Sequence, residues 1–212
     1  MRLLIAEDEQ DLAEALTVFF ERNHFSVDAV HDGLSALDYA ESGAYDAIIL
    51  DVMMPGMDGV EVLRFSSFPV SEALTETALS FSEAAEAHGT PLFLLIEPGI
   101  SFTGDEYAVR QLASILLDNA VKYARPGAPV FFSLKKTKKG VEIDCENACS
   151  PIPSQELPRL FDRFYRADKA RTAGGYGVGL SIARSIAEAH HGSIRATCPQ
   201  EDRILFQAIL CG

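Results

Sequence analysis

The sequence predicts an α/β chain in two units: a truncated, doubly wound parallel βα unit over residues 1–64, then an α/β sandwich over residues 65–212. Three observations predict it. Short apolar runs alternate with helical stripes three times before residue 64. After it the order changes to helix, strand, long helix, hairpin, two further helical stretches and two closing strands. Charge divides at the same place: residues 1–64 hold 14 acids and 3 bases, residues 65–212 hold 17 and 15. Such asymmetry marks units of different origin.

In the first unit, LLIA is an apolar strand that runs into Glu7, Asp8 and Glu9. Asp11 to Arg22 carries Leu12, Ala15, Leu16, Val18, Phe19 and Phe20 close to a helical stripe. FSVDAV reads as a strand, Gly33 to Glu41 as a helix, AIILDV as an apolar strand ending in Asp51, and GVEVLR as a third helix opened by Gly59. Strands alternating with helices imply a parallel sheet with right-handed crossovers. Chemistry in such sheets collects at the carboxyl ends of the strands. Glu7, Asp8 and Asp51 all follow strand ends, so adjacent strands bring three carboxylates together. Their mutual repulsion calls for a cation, and hard oxygen ligands suit Mg²⁺. The plainer alternative is three exposed loop acids.

In the second unit, VSEALTETALSFSEAAEAHG has the spacing of one amphipathic helix stopped by Gly89. LFLLIE is a strand. GDEYAVRQLASILLDNAVKYA is a long helix, with Val109, Leu112, Ile115, Leu116, Ala120 and Tyr123 near one stripe. VFFSLKKTKKGVEIDCEN reads as a hairpin whose basic turn, Lys135–Gly140, is a solvated tip. LPRLFDRF is short and helical. AGGYGVGLSIARSIAEAHHG is a glycine-rich loop entering a helix, and SIRATC and RILFQAIL are closing strands.

The loop GGYGVGL carries the chemistry. Glycines let backbone approach an anion, and a helix N-terminus presents unpaired N–H groups. Upstream, Asn119 offers an amide oxygen to a metal, and Lys122, three residues on, shares its helix face and can reach a phosphate.

LLIAEDE followed by DAIILDVMMPGMDGVEVLR resembles the first half of a response-regulator receiver domain, which is flavodoxin-like. The resemblance implies strand order 2-1-3, Asp51 as phosphoacceptor, and Mg²⁺ held by Glu7, Asp8, Asp51 and the backbone carbonyl of Met53. Receivers have five βα repeats, and here the pattern leaves after three. The stretch TPLFLLIE (90–97) looks like a fourth receiver strand but ends in Glu97 rather than Thr or Ser. It also lies farther from Asp51 than two compact βα repeats need, so it is assigned to the second unit.

LLDNAVKYA, LFDRFYRAD and GGYGVGLSIA, in this order, resemble the catalytic ATP-binding domain of sensor histidine kinases. The resemblance implies that Asn119 ligates Mg²⁺ and that Lys122 and Tyr123 line the nucleotide. Gly175, Gly177 and Gly179 cradle phosphates, and Arg166 and Arg171 are lid charges. Phe161 and Phe164 belong to an aromatic segment beside the lid, with core packing as the plainer role. Asn147 stands where that family usually has the adenine-reading Asp of Asp-x-Gly-x-Gly, and its neutral amide is a weaker acceptor.

These resemblances describe a two-component signalling protein that binds ATP and Mg²⁺. None of the five histidines (His24, His31, His88, His190, His191) lies in a kinase phosphoacceptor box. Autophosphorylation is therefore not expected, and a histidine on another chain, in a phosphotransfer or dimerisation domain, would be the acceptor. The alternatives are a non-catalytic interaction module or a fusion without function. An apolar receiver edge left open would favour self-association.

The acidic balance argues against nucleic-acid binding. No apolar run approaches a membrane span or a signal peptide, so a cytoplasmic, soluble protein is expected. Cys145, Cys149, Cys198 and Cys211 lack a second pair at zinc spacing and are expected as reduced structural thiols.

Overall fold

The computed structural model describes residues 1–165 and 177–211. The chain divides into two compact units, Met1–Ser66 and Ser67–Gly212.

The first unit is a three-stranded parallel sheet in the order β2 (Ser26–Val30), β1 (Arg2–Ala6), β3 (Ala47–Leu50). This is the 2-1-3 order implied above. Around it lie α1 (Gln10–Arg22), α2 (Gly33–Ser42) and α3 (Gly59–Arg64). Asp11 in the first turn of α1 and Arg22 in its last complement the helix dipole. The carboxylate of Asp32 caps α2, accepting from the Ser35 N–H and hydroxyl, both at 2.8 Å. These donors, the backbone N–H first, hold the Asp32 carboxyl below its ordinary value. Leu4, Ala6, Val30, Ala36, Met54, Met57 and Val62 form a small core. The edge strand β3 is poorly covered: Ile48 and Ile49 are exposed, and Val52 and Met53 beyond it more so.

The second unit is a five-stranded sheet with helices on one face. Its order is β5 (Leu92–Ile96), β7 (Val130–Lys136), β8 (Gly140–Ala148), β10 (Arg203–Cys211), β9 (Ser193–Gln200). β4 (Phe65–Phe68) and β6 (Phe102–Asp105) form a separate two-stranded sheet. β5 pairs in parallel with β7, Leu92 opposite Val130, so residues 90–97 belong here and not to the receiver sheet. The inward residues of β7, β8 and β10, among them Phe132, Leu134, Ile143, Cys145, Phe206 and Leu210, pack against α4 (Val70–Leu79), α6 (Glu106–Tyr123) and α7 (Gly179–Ala189).

One local reading changes and two are refined. The helix expected over 70–89 is two, α4 and α5 (Ser82–Ala87), broken at Ser80–Phe81. The Ser80 hydroxyl donates to the Thr77 carbonyl at 2.7 Å and competes with the helical ladder. The basic hairpin tip is partly neutralised, since Lys135 Nζ meets Glu142 and Asp144 at 3.2 and 3.3 Å. The short helical stretch is a 3-10 turn, Leu157–Phe161. All four cysteines are free. Cys145 is buried, and loss of hydration pushes its thiol well above the ordinary range. Among the described residues no helix is long and apolar enough to cross a membrane.

Candidate functional site

In the first unit the parallel pairing of β1 with β3 sets Ala6 opposite Leu50. The next residues, Glu7 and Asp51, leave the sheet side by side, with Asp51 N–H donating to the Ala6 carbonyl at 2.8 Å. Asp8 completes the group: one carboxylate oxygen from each of Glu7, Asp8 and Asp51 lies within 4.8 Å of the others. Ligands of an octahedral Mg²⁺ stand roughly 3–4 Å apart. Rotation of these side chains would bring the trio to that spacing. Met53 is 81 % exposed, and its N–H donates to Asp51 Oδ1 at 3.3 Å.

In the second unit a cavity of about 770 Å³ opens between α6, the end of β8 and the start of α7. α6 is set by its ends: Asp105 caps it, accepting from Ala108 N–H at 3.0 Å, and Lys122 sits in its last turn. One stripe of α6 is buried through Val109, Leu112, Leu116 and Ala120. The adjoining stripe, Gln111, Ile115, Asn119, Lys122 and Tyr123 among it, faces the cavity. Tyr123 lines the cavity beside Lys122, and Ile115, placed from sequence on the apolar stripe, both packs on the core and borders the cavity.

Asn147, Gly177 and Gly179 line the same cavity. Six of the predicted binding residues therefore share one space, although they span residues 119–179. Arg166, Arg171 and Gly175 lie outside the described residues. Gly177 has φ +67°, and a Cβ there would stand 2.9 Å from the Tyr165 carbonyl oxygen and 3.1 Å from the Phe164 carbonyl carbon. Its own carbonyl accepts Phe164 N–H at 2.9 Å. Gly179 is less constrained, with Ile115 Cγ2 at 3.4 Å from a Cβ.

The aromatic segment divides. Phe161 is core, edge-on to Phe206 at 6.2 Å between centroids. Phe164 is 75 % exposed and has φ +66°, an unfavourable conformation held by the Gly177 hydrogen bond. Tyr165 reaches the cavity wall, where its hydroxyl donates to Glu156 Oε2 at 2.9 Å and Arg159 lies over its ring at 4.3 Å. Burial first, and the Glu156 carboxylate second, raise the Tyr165 hydroxyl above its ordinary value. The apolar walls Phe81, Ile152, Leu160, Ile204 and Phe206 were not singled out from sequence. From sequence Phe206 was placed only on the closing strand RILFQAIL.

Residues 3–65 match the family described as the response regulator receiver domain. Residues 104–208 match the family described as histidine kinase-, DNA gyrase B-, and HSP90-like ATPase. The probable sensor kinase SilS of Salmonella typhimurium is 40 % identical over 119 residues, 54 % of this chain and 24 % of SilS. The signal transduction histidine-protein kinase BaeS of Escherichia coli is 29 % identical over 161 residues, 74 % of this chain and 34 % of BaeS. The chain thus spans a quarter to a third of the length of these relatives. Among solved structures, the mycobacterial sensor histidine kinase MprB superposes with TM-score 0.61 at 22 % identity, over 70 % of this chain and 97 % of that one. The catalytic domain of the histidine kinase ThkA gives 0.60 at 20 % identity, over 68 % and 94 %. The matched ATPase family implies ATP as a ligand of the second unit. With both stretches matched and the sheet orders fixed, the chain joins a response-regulator receiver segment to a domain of the histidine kinase-, DNA gyrase B-, and HSP90-like ATPase family.

Proposed function

We propose that the second unit binds Mg-ATP in the cavity between α6, β8 and α7 and acts as the phosphodonor domain for a histidine on another chain. The observation that carries this is the convergence of Asn119 and Lys122, from one helix face, with Asn147 and Gly177 on a single cavity. Each fits the ligand. The Asn119 amide oxygen is a hard donor suited to Mg²⁺. Lys122 supplies positive charge for phosphate. Gly177 and Gly179 let backbone come close, and Arg166, Arg171 and Gly175 join them in this reading. Mg²⁺ bound there would neutralise charge on the phosphates. ShkA, which shares the fold of the second unit at TM-score 0.59 and 20 % identity, was crystallised in complex with AMPPNP, a nucleotide analogue, which supports the reading.

His190 is a poor acceptor: it is buried with both ring nitrogens engaged. Phosphoryl transfer depends on positioning, and this ring is held between Asp105 and Ile186.

In the first unit, Glu7, Asp8 and Asp51, with the Met53 carbonyl, hold Mg²⁺ in this reading. Asp51 remains a phosphoacceptor of low reactivity.

Calorimetry of the full chain with AMPPNP tests the proposal. One site is expected, dependent on Mg²⁺ and weakened at least tenfold by Asn119→Ala. Binding that is absent, or unchanged by both Mg²⁺ removal and Asn119→Ala, would contradict it.

A further inference from the structure

β5 ends the five-stranded sheet. β7 pairs with one side of it, and among the described residues no strand pairs with the other. The register fixes which backbone groups face that open edge. Val130 N–H donates to the Pro91 carbonyl at 2.8 Å, and Glu97 N–H donates to the Leu134 carbonyl at 3.0 Å. In a parallel pair alternate residues turn their N–H and C=O to the neighbour. Phe93 and Leu95 therefore bond toward β7, while Leu92, Leu94 and Ile96 turn theirs to the open edge.

The side chains alternate as well. Leu92, Leu94 and Ile96 pack on the core beneath the helices. Phe93 and Leu95 stand on the helix-free face, 50 % and 63 % exposed. Phe131 of β7 stacks on Phe93 at 5.5 Å between centroids. Edge strands are usually guarded by a charge, a proline or a bulge, and LFLLI has none of these. Its ends are closed instead. Pro98 has no N–H, and the Thr90 N–H is given to the Ala85 carbonyl at 2.8 Å. The competent window is Leu92–Ile96, which is symmetric about Leu94.

We propose that this edge is occupied by β5 of a second copy of the chain, antiparallel about a two-fold axis at Leu94. A window symmetric about one residue complements itself in that sense. Leu94 meets the partner's Leu94, and Leu92 meets the partner's Ile96, as hydrogen-bonded pairs. Phe93 then faces the partner's Leu95, and Leu95 the partner's Phe93. These are the closer, non-hydrogen-bonded pairs, so the exposed apolar side chains cover one another. Charge favours this occupant. The edge carries none that would recruit an acidic or a basic peptide. Residues 65–212 are nearly balanced, at 17 acids and 15 bases, so copies meet there with little repulsion. The contact is closed, because each copy spends its one open β5 edge on the other. No β5 residue lines the cavity between α6, β8 and α7, and pairing needs no nucleotide.

Sedimentation equilibrium of the full chain over a concentration series reads the association, and amide hydrogen exchange reads its site. The Leu92, Leu94 and Ile96 amides should slow about tenfold or more from dilute to concentrated samples, while those of Phe93 and Leu95, already bonded to β7, should change little. Leu95→Lys and Phe93→Glu should each weaken the dimer about tenfold or more, since each change acts twice across the axis. The two together set opposite charges face to face and should recover much of the loss, which a misfolded variant cannot do. Ile49→Lys, on the exposed edge strand of the first unit, should leave the dimer unchanged. A chain that stays monomeric, a dimer that Leu95→Lys leaves intact, or edge amides indifferent to concentration would overturn the inference. A double variant no tighter than the single ones would overturn the two-fold register.

Discussion

His190 accepts the backbone N–H of Asp105 on Nε2 at 3.1 Å, while its Nδ1 donates to the Ile186 carbonyl at 2.8 Å. One buried ring thereby ties the end of α7 to the N-cap of α6, the two helices that flank the cavity. Gly104 makes room for it, since a Cβ there would stand 2.7 Å from His190 Cδ2. The ring also lies 5.9 Å from Phe102 between centroids. His190→Ala should cost roughly 2–4 kcal/mol, because it opens a cavity and strands the Asp105 N–H. Urea unfolding of the second unit measures this.

The same ring makes stability depend on pH. Nε2 must be unprotonated to accept, and burial lowers the His190 pKa below its ordinary 6.5. The unfolded chain therefore binds the proton first. This contribution is complete above about pH 6.5 and is lost as pH falls from there through the folded-state pKa. Thermal melts from pH 8 to 5 should show a decline that is smaller in His190→Gln. Equal declines in the two proteins would remove His190 as the cause.

Gly177→Ala should weaken nucleotide binding by tenfold or more and cost about 1–2 kcal/mol. The residue would need φ near +67° and would press on the Tyr165 carbonyl. Gly179→Ala, with its nearest neighbour at 3.4 Å, should be several-fold milder. A side-by-side titration of both variants checks the order.

How much of this was legible follows from sequence distance. Asn119 and Lys122 sit three apart on one helix, so their shared face was visible as spacing. The acids Glu7, Asp8 and Asp51 were visible because strand ends announce themselves. The break at Ser80–Phe81 was not, because Phe81 leaves the helical stripe to pack on the core and line the cavity. Neither was the Tyr165–Glu156 bond, nor the bond from Asn147 Nδ2 to the Ala148 carbonyl. Those depend on how separate segments meet, which periodicity does not encode.

Arg110 joins α4 to α6, reaching Glu106 and Glu76 at 2.8 and 3.0 Å and donating to the Ala73 carbonyl at 2.8 Å. The ion pairs are partly exposed and contribute little. The bond to the carbonyl is shielded. Arg110→Ala should cost about 1–2 kcal/mol, most of which persists in 1 M salt. Denaturant midpoints at low and high salt separate the two contributions.

Asp51 should accept phosphate from acetyl phosphate slowly, and only with Mg²⁺ present. The acid trio is assembled, but in the receiver resemblance the phosphoryl-binding Thr and Lys belong to strands beyond β3. Intact-mass measurement over time follows the adduct. Labelling of Asp51→Asn at the same rate would show another site.

The central claim is that Mg-ATP occupies the cavity formed by α6, the end of β8 and the start of α7. A crystal structure of the full chain with Mg²⁺ and AMPPNP tests it most directly. The account predicts the metal beside Asn119, the phosphates near Lys122 and Gly177, and the adenine amino group on Asn147 Oδ1. A nucleotide bound elsewhere, or this cavity left without one at saturating AMPPNP, would contradict it.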